Sequence, residues 1–390
     1  MNLYFLSFSR YKANHLISLN VCSMLFPLIT FVLICPYLTM EVIRKTPTTK
    51  DLIMLFILCR HGDRSPVHTF PVDPYRNVWK MGYGQLTAYG AEQHHELGRL
   101  IRKMYSGFLP EIYHKDEVLF RSSGTERTLM SANNFIRGFY QLEKKSTNQL
   151  PPVFSRLTHE DHLLKMSSKC PKFKKLFHHL MNSSAVSRKA STFKDFFSYL
   201  EQVSGYAFPK EKDSPENFYP AWHICDPITI WVNHAFSSLP QWVTDDVYKK
   251  CTSLLDYKHF IRFSRPQLTR LRGGPLAGHL VDLFRERINK EAKQNDNNNA
   301  HENPSEKRSR RFVAYFAHDS TLAALLSHLG VYNGLKPPLA SCLIVELHRP
   351  SLSFKDFHVV FHYLNETKLP FNTEKLINLW PPHCGNSQYN

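Results

Sequence analysis

No unit of 20 to 50 residues repeats along this 390-residue chain, which excludes solenoids and propellers, whose cores are stacked copies of one motif. Zinc-finger and RNA-binding motifs are lacking too. The basic residues are scattered, so a net charge of +16, from 49 Lys and Arg against 33 Asp and Glu, does not read as a nucleic-acid surface, and no nucleic-acid partner is expected. The same charge suits the steering of anionic substrates. Clusters of Asp and His at two-metal spacing are missing, and the neighbours His94-His95 and His178-His179 cannot both face one ion from a helix. Those pairs are expected at the surface or at helix caps, and no metal or other cofactor is expected.

With 43% hydrophobic residues the chain can bury a substantial core, and its length predicts two compact units. The apolar run Leu52-Ile53-Met54-Leu55-Phe56-Ile57-Leu58 reads as a fully buried strand. Soon after it stands Arg60-His61-Gly62-Asp63-Arg64-Ser65-Pro66. Open α/β sheets carry their chemistry just beyond the carboxyl ends of strands, so this heptapeptide occupies the place of a catalytic loop. A histidine with arginines one residue before and three after suits attack on a phosphoryl group whose oxygens the guanidiniums hold. Nearby cations disfavour a further positive charge, so the His61 imidazole is expected to stay neutral into the acid range. A solvated basic loop edge would look the same over Arg60-His61-Gly62 alone; the full string is far more specific.

Two more strand ends carry polar residues. Glu117-Val118-Leu119-Phe120-Arg121-Ser122 is a short strand followed by a helix from Thr125, and Phe312 to Ala317 is a second buried strand followed by His318-Asp319-Ser320 and a helix over Thr321–Leu329 that Gly330 ends. Taken alone, Arg121 reads as a surface residue and Asp319 as a helix N-cap.

The heptapeptide, with Thr69-Phe70-Pro71, Gly82 to Thr87, the segment Arg121-Ser122 to Arg127-Thr128-Leu129-Met130-Ser131-Ala132, and His318-Asp319, resembles the histidine acid phosphatase family, near its prostatic and lysosomal members. The resemblance runs with gaps from about residue 50 to about residue 385. It implies a doubly wound α/β fold, with a mostly parallel sheet flanked by helices as in phosphoglycerate mutase and an inserted, mostly helical cap. Residues 46–150 and 260–390 are expected to form the split catalytic domain and 150–260 the cap. It further implies that His61 is the nucleophile of a phosphohistidine mechanism, that Arg60, Arg64, Arg121 and His318 bind phosphate, and that Asp319 is the proton donor. The implied activity is acid phosphatase action on small phosphate monoesters. Alternatives are a narrower lysophospholipid or phospho-sugar phosphatase of the same fold, or a catalytically impaired secreted glycoprotein that binds phosphorylated ligands.

Residues 1–45 contain an apolar stretch, Leu16 to Met40, behind Arg10 and Lys12. It reads as a secretory signal, as an anchor attaching the chain to a membrane, or as a leader of a chain that starts at Met24; each routes the rest to the secretory pathway, whether secreted, lysosomal or membrane-attached. The sequons at Asn182 and Asn365 agree. Setting aside Cys22 and Cys35 in the leader and Cys59 at the end of the first strand, Cys170, Cys225, Cys251, Cys342 and Cys384 remain, an odd number. The resemblance implies that Cys342 pairs with Cys225 or Cys251, and it leaves Cys384 as the candidate partner of Cys170. The polar stretch 293–311, with Arg308-Ser309-Arg310-Arg311, reads as a disordered basic insertion and is a weaker match to a processing site. Between Ala132 and Glu160 the chain is shorter than the family pattern, in a region that often contributes to the family's homodimer contact.

Overall fold

The run from Leu52 is apolar up to its last residue, and every residue from Leu52 to Arg60 is buried, as a strand covered on both faces requires. This is strand β1 (Leu52–Arg60) in a computed structural model that describes residues 51–142, 149–165, 170–209, 211–234, 236, 238–296, 308–349, 357–365 and 368–382. It lies at the centre of a seven-stranded sheet of order β3-β2-β4-β1-β5-β6-β7, where β2 is Val118–Ser122, β3 Val153–Phe154, β4 Phe312–Ala317, β5 Cys342–His348, β6 His358–Leu364 and β7 Leu376–Leu379. Strands β1 to β4 are mutually parallel; β5, β6 and β7 then alternate in direction. Five strands therefore share one direction, and the sheet is mostly parallel with an antiparallel flank.

Alternation along the strands builds two cores. Leu55, Ile57 and Cys59 with Phe120, Phe312, Ala314 and Phe316 pack against α1 (Ala88–Met104) and α2 (Glu126–Tyr140). Phe56, Leu58, Val313 and Tyr315 face the opposite way, onto Leu276, Leu280 and Phe284 of α9 (Gly274–Asp296) and Leu322 and Leu325 of α10 (Asp319–His328). Helix α1 is capped by Thr87, whose side chain accepts from the Gly90 amide. Helix α10 begins earlier than Thr321, because His318 takes the cap position and Asp319 is its first helical residue.

Between β3 and β4 the described chain is helical: α3 (Pro171–Met181), α4 (Ser184–Ser191), α5 (Lys194–Ser204), α6 (Phe218–Asn233), α7 (Asp245–Phe263), α8 (Pro266–Arg272) and α9. Helices α4 to α7 enclose an apolar cluster of their own, centred on Phe197, Phe218, Trp222 and Trp231, into which Phe70 from the loop after the heptapeptide is inserted. That contact ties the loop to the helical insertion. Thr46–Asn390 forms one compact unit.

The cysteine pairing expected for Cys342 is overturned. Antiparallel register sets Cys59 directly opposite Cys342, and these two are bonded, while Cys225 of α6 bonds Cys251 of α7. The first pairing follows from strand register, the second from the packing of α6 on α7, and neither is visible as spacing. Cys170 has a free thiol among the described residues; Cys384 lies outside them, as do residues 1–45 and 297–307. At the described ends of the basic insertion, α9 runs to Asp296, Ser309 is buried and bonded to Arg287, and the Arg311 amide donates to the Glu117 carbonyl at 2.9 Å; the stretch expected to be disordered lies mostly outside the described residues. The shortened segment after α2 still supplies β3, a two-residue edge strand on β2.

Candidate active site

Parallel register brings three strand tips together: Arg60 lies beside Ala317 and Ser122 beside Phe316, so the residues that follow β1, β2 and β4 share one end of the sheet. His61 and His318 meet there, ring centroids 5.7 Å apart at 71°. The turn after His61 is possible because Gly62 and Gly90 lie backbone to backbone, and a Cβ on either would collide with the other segment's main chain. The Gly62 amide donates to Ser131 Oγ at 3.2 Å and the Asp63 amide to Gln93 Oε1 at 2.8 Å. His94, expected at the surface, is instead fully buried; its Nε2 is 2.9 Å from the Arg60 carbonyl oxygen, and burial lowers its pKa to about 4. His178 and His179 are exposed at the end of α3, as expected.

His61 Nδ1 lies 2.8 Å from the Gly62 carbonyl oxygen. A carbonyl only accepts, so Nδ1 carries the proton and Nε2 keeps its lone pair. Burial first, then the charges of Arg127, Arg60, His318 and Arg64, hold the pKa of His61 well below the usual imidazole range. His61 and His318 line a cleft of about 360 Å³ together with Arg64, Arg127, Asp226, Lys258, His259, Arg262, Arg272, Asp319 and Lys336.

The cations differ in what holds them. Arg64 donates to both carboxylate oxygens of Asp226, at 3.0 and 2.8 Å, and to the Ser65 carbonyl at 2.9 Å; these contacts leave the guanidinium with further N–H donors. Arg60 is buried behind the cleft, with Nη1 on the Pro337 carbonyl at 2.6 Å and Nη2 3.1 Å from Asp319. Arg127, in the first turn of α2, donates to the Gly84 carbonyl at 3.2 Å, and burial beside Arg64 pulls its pKa down to about 10. Arg121 does not reach the cleft. Alternation along β2 turns Phe120 toward α1 and α2, and Arg121 the other way, onto Asp161 at 2.8 Å and the Tyr315 ring.

Asp319 is clasped from two sides. Its Oδ2 meets Arg60, and its Oδ1 lies 3.4 Å from His259 Nε2 and accepts from the Ser320 amide. Although burial opposes ionisation, Arg60 and His259 hold its pKa well below the carboxylate range. His259 Nδ1 is 2.9 Å from the Leu255 carbonyl, so its proton sits on that side and its Nε2 is left to face Asp319. Burial lowers the pKa of His259 although Asp319 opposes this, so His259 supports the ionised Asp319 only in its own charged form, whereas Arg60 supports it throughout. His318 Nε2 is 3.0 Å from Ser123 Oγ, and burial, with Lys165 and Arg127 nearby, keeps its pKa low.

A neutral imidazole lone pair, a buried carboxylate and converging guanidiniums sit on a mostly parallel sheet, and the sequence model of the histidine phosphatase superfamily (branch 2) matches residues 51–363. The chain belongs to that family. It is 35% identical to lysosomal acid phosphatase of Xenopus laevis over 83% of this chain and 72% of that protein, and 33% identical to human prostatic acid phosphatase over 83% and 80%. Among solved structures, the apo phytase of Hafnia alvei superposes with a TM-score of 0.60 at 14% identity over 86% of this chain and 91% of that one, a likeness of fold.

Of the residues the sequence singles out in this histidine phosphatase, His61, Arg64, His318 and Asp319 line the cleft, Arg60 lies outside its lining against Asp319, and Arg121 lies away from it on Asp161, while Arg127 lines it. Asp226 and His259 are missed. Asp226 follows a bonded cysteine and precedes a proline in an otherwise apolar helix, a weak signal of a buried partner; nothing in the sequence marks His259. The side chains of Glu92, His95 and Glu96 converge on α1, and none of them lines the cleft.

Proposed function

We propose that this chain is an acid phosphomonoesterase that works through a phosphohistidine at His61, and the observation that carries this is the Nδ1–H tautomer that leaves His61 Nε2 unprotonated in a cationic cleft. Arg64, Arg127 and His318 hold the phosphoryl oxygens, with Arg127 in the role expected of Arg121. Little covalent work is left beyond positioning and charge stabilisation. Nε2 attacks phosphorus as the ester P–O bond breaks; the bond's electron pair stays on the leaving oxygen, which takes a proton from Asp319. Water then attacks the phosphohistidine and returns a proton to Asp319, releasing phosphate and neutral His61.

Asp319 is ionised in the empty cleft, so the proton it donates has to arrive with the substrate. A bound phosphate adds negative charge and competes for Arg60, and both effects raise the Asp319 pKa. Once protonated, Asp319 relaxes its hold on Arg60, whose Nη2 is then available to the phosphate. Acid solution favours this loaded form while His61 remains neutral, which supports an acid rather than a neutral phosphatase. The intact cleft speaks against a catalytically impaired binder. The decisive test is a base-quenched single turnover with p-nitrophenyl phosphate: an acid-labile phosphoryl group on the peptide containing His61 supports the reading, and its absence with turnover intact would overturn it. Turnover is expected to be unchanged by EDTA.

The helices between β3 and β4 act as a cap that shapes substrate choice. Routing is to the secretory pathway, with glycans on Asn182, exposed at the end of α3, and on Asn365. Among the described residues no helix is long and apolar enough to cross a membrane.

A further inference from the structure

We propose that Lys258 and Arg262 of α7 form a subsite for a second phosphate group carried by the same substrate molecule. The proposal rests on the phosphomonoesterase reading and adds which esters the cleft favours.

The cleft wall carries six cations, Arg64, Arg127, Lys258, Arg262, Arg272 and Lys336, against the two carboxylates Asp226 and Asp319. Both carboxylates are already engaged, Asp226 by Arg64 and Asp319 by Arg60 and His259. A phosphate monoester brings about one negative charge in acid and about two at neutral pH, which Arg64 and Arg127 beside His61 can answer. The wall then remains strongly positive along α7.

Lys258 and Arg262 are one helical turn apart on the same face of α7, a like-charge pair that weakens an empty helix. Among the described residues neither is ion-paired to a carboxylate. Both rest on the same indole: Lys258 Nζ lies 5.8 Å and the Arg262 guanidinium 5.2 Å from the Trp222 ring centroid, and Arg262 is also 5.7 Å from Phe177. Ring faces position a cation without consuming its N–H donors, so the pair is placed and still able to bind. Burial and Arg262 lower the pKa of Lys258, the penalty that an anion bound between them would relieve. Lys258 and Arg262 enter the cleft from α7, whereas Arg64 stands in the loop after β1 and Arg127 in the first turn of α2, so the two cation pairs come from different elements of the cleft wall.

The test compares kcat/KM for a series of α,ω-alkanediol bisphosphates with the matching alkyl monophosphates, using p-nitrophenyl phosphate as a one-phosphate reference. For at least one chain length the bisphosphate is expected to be favoured roughly tenfold or more, with a preference that falls as salt rises. Lys258→Met and Arg262→Gln are expected to remove that preference while leaving p-nitrophenyl phosphate turnover within about twofold, and Arg262→Lys to keep part of it. Thermal melts identify any variant that fails to fold, and the remaining variants then decide. The subsite is overturned if no bisphosphate is preferred, if the preference survives both substitutions, or if both substrate classes weaken together. Loss of all turnover in the unaltered protein would instead sink the phosphatase reading.

Discussion

Two carboxylates flank β1, the half-buried Asp319 beyond the tip of β4 and the buried Glu346 within β5, and both are held below the usual range, Glu346 at about 2. Glu346 accepts from the Tyr105 hydroxyl at 2.5 Å and from His348 at 2.8 Å, and His362 lies 3.5 Å away. Its partners are the C-cap of α1 and residues of β5 and β6, and Glu346 does not line the cleft. Asp319 has partners of similar strength, but its carboxylate faces the cleft, and one of those partners, Arg60, is the cation for which a bound phosphate is proposed to compete. Burying a charge is tolerable wherever donors satisfy it. It becomes chemistry where the substrate competes for those donors.

The largest effect that tests this contrast is expected at the nucleophile. His61→Ala should lower kcat by about four orders of magnitude or more with an unchanged melt. Asp319→Ala should cost about two to four orders, concentrated in substrates with poor leaving groups, which need the proton most. Arg127→Ala should cost about 10²–10³ in kcat/KM by removing a donor from the phosphoryl oxygens. Arg121→Met should leave the chemistry nearly intact but lose about 3–5 kcal/mol of stability, because it strands Asp161 as an uncompensated buried charge. Should Arg121→Met prove the kinetically severe variant, the assignment of Arg127 fails.

Glu346→Gln should act on stability alone, by about 1–3 kcal/mol at neutral pH. Its folded pKa lies below the unfolded value, so the stabilisation is fully present above about 4.5 and is lost as pH falls through about 2. The antiparallel flank is thereby kept intact through the acid range in which the cleft is proposed to work. Denaturant midpoints for the native chain and the variant should converge at low pH; parallel curves would show that the carboxylate is not what stabilises this flank.

Much of this was legible. An apolar run into Arg60-His61-Gly62-Asp63-Arg64-Ser65-Pro66 defines both a buried strand and the loop at its end, and His318-Asp319 repeats the pattern at β4. Arg121 and Arg127 stand in one string, and which of them reaches the cleft is set by the phase of β2 and the position of the first turn of α2, which the sequence does not display. The Cys59–Cys342 bond depends on strand register. Asp226 and His259 come from helices far along the chain, and only the packing of those helices over the strand tips brings them to Arg64 and Asp319.

The smallest expected effect is the most specific to this chain. Positive charge on His259 is among the causes that depress the Asp319 pKa, so His259→Gln should raise it. Asp319 acts as the acid and must be protonated, and activity falls as pH rises through its pKa in the substrate complex. Removing His259 therefore moves the falling limb of the pH–kcat profile to higher pH, with the maximal rate little changed. A residue that merely packs α7 against α10 would lower the rate at every pH and leave the limb in place. The profile, measured with p-nitrophenyl phosphate in His259→Gln and in the native chain, separates the two: a shift in the alkaline direction makes His259 the group that sets where Asp319 holds its proton, and an unmoved limb confines it to packing.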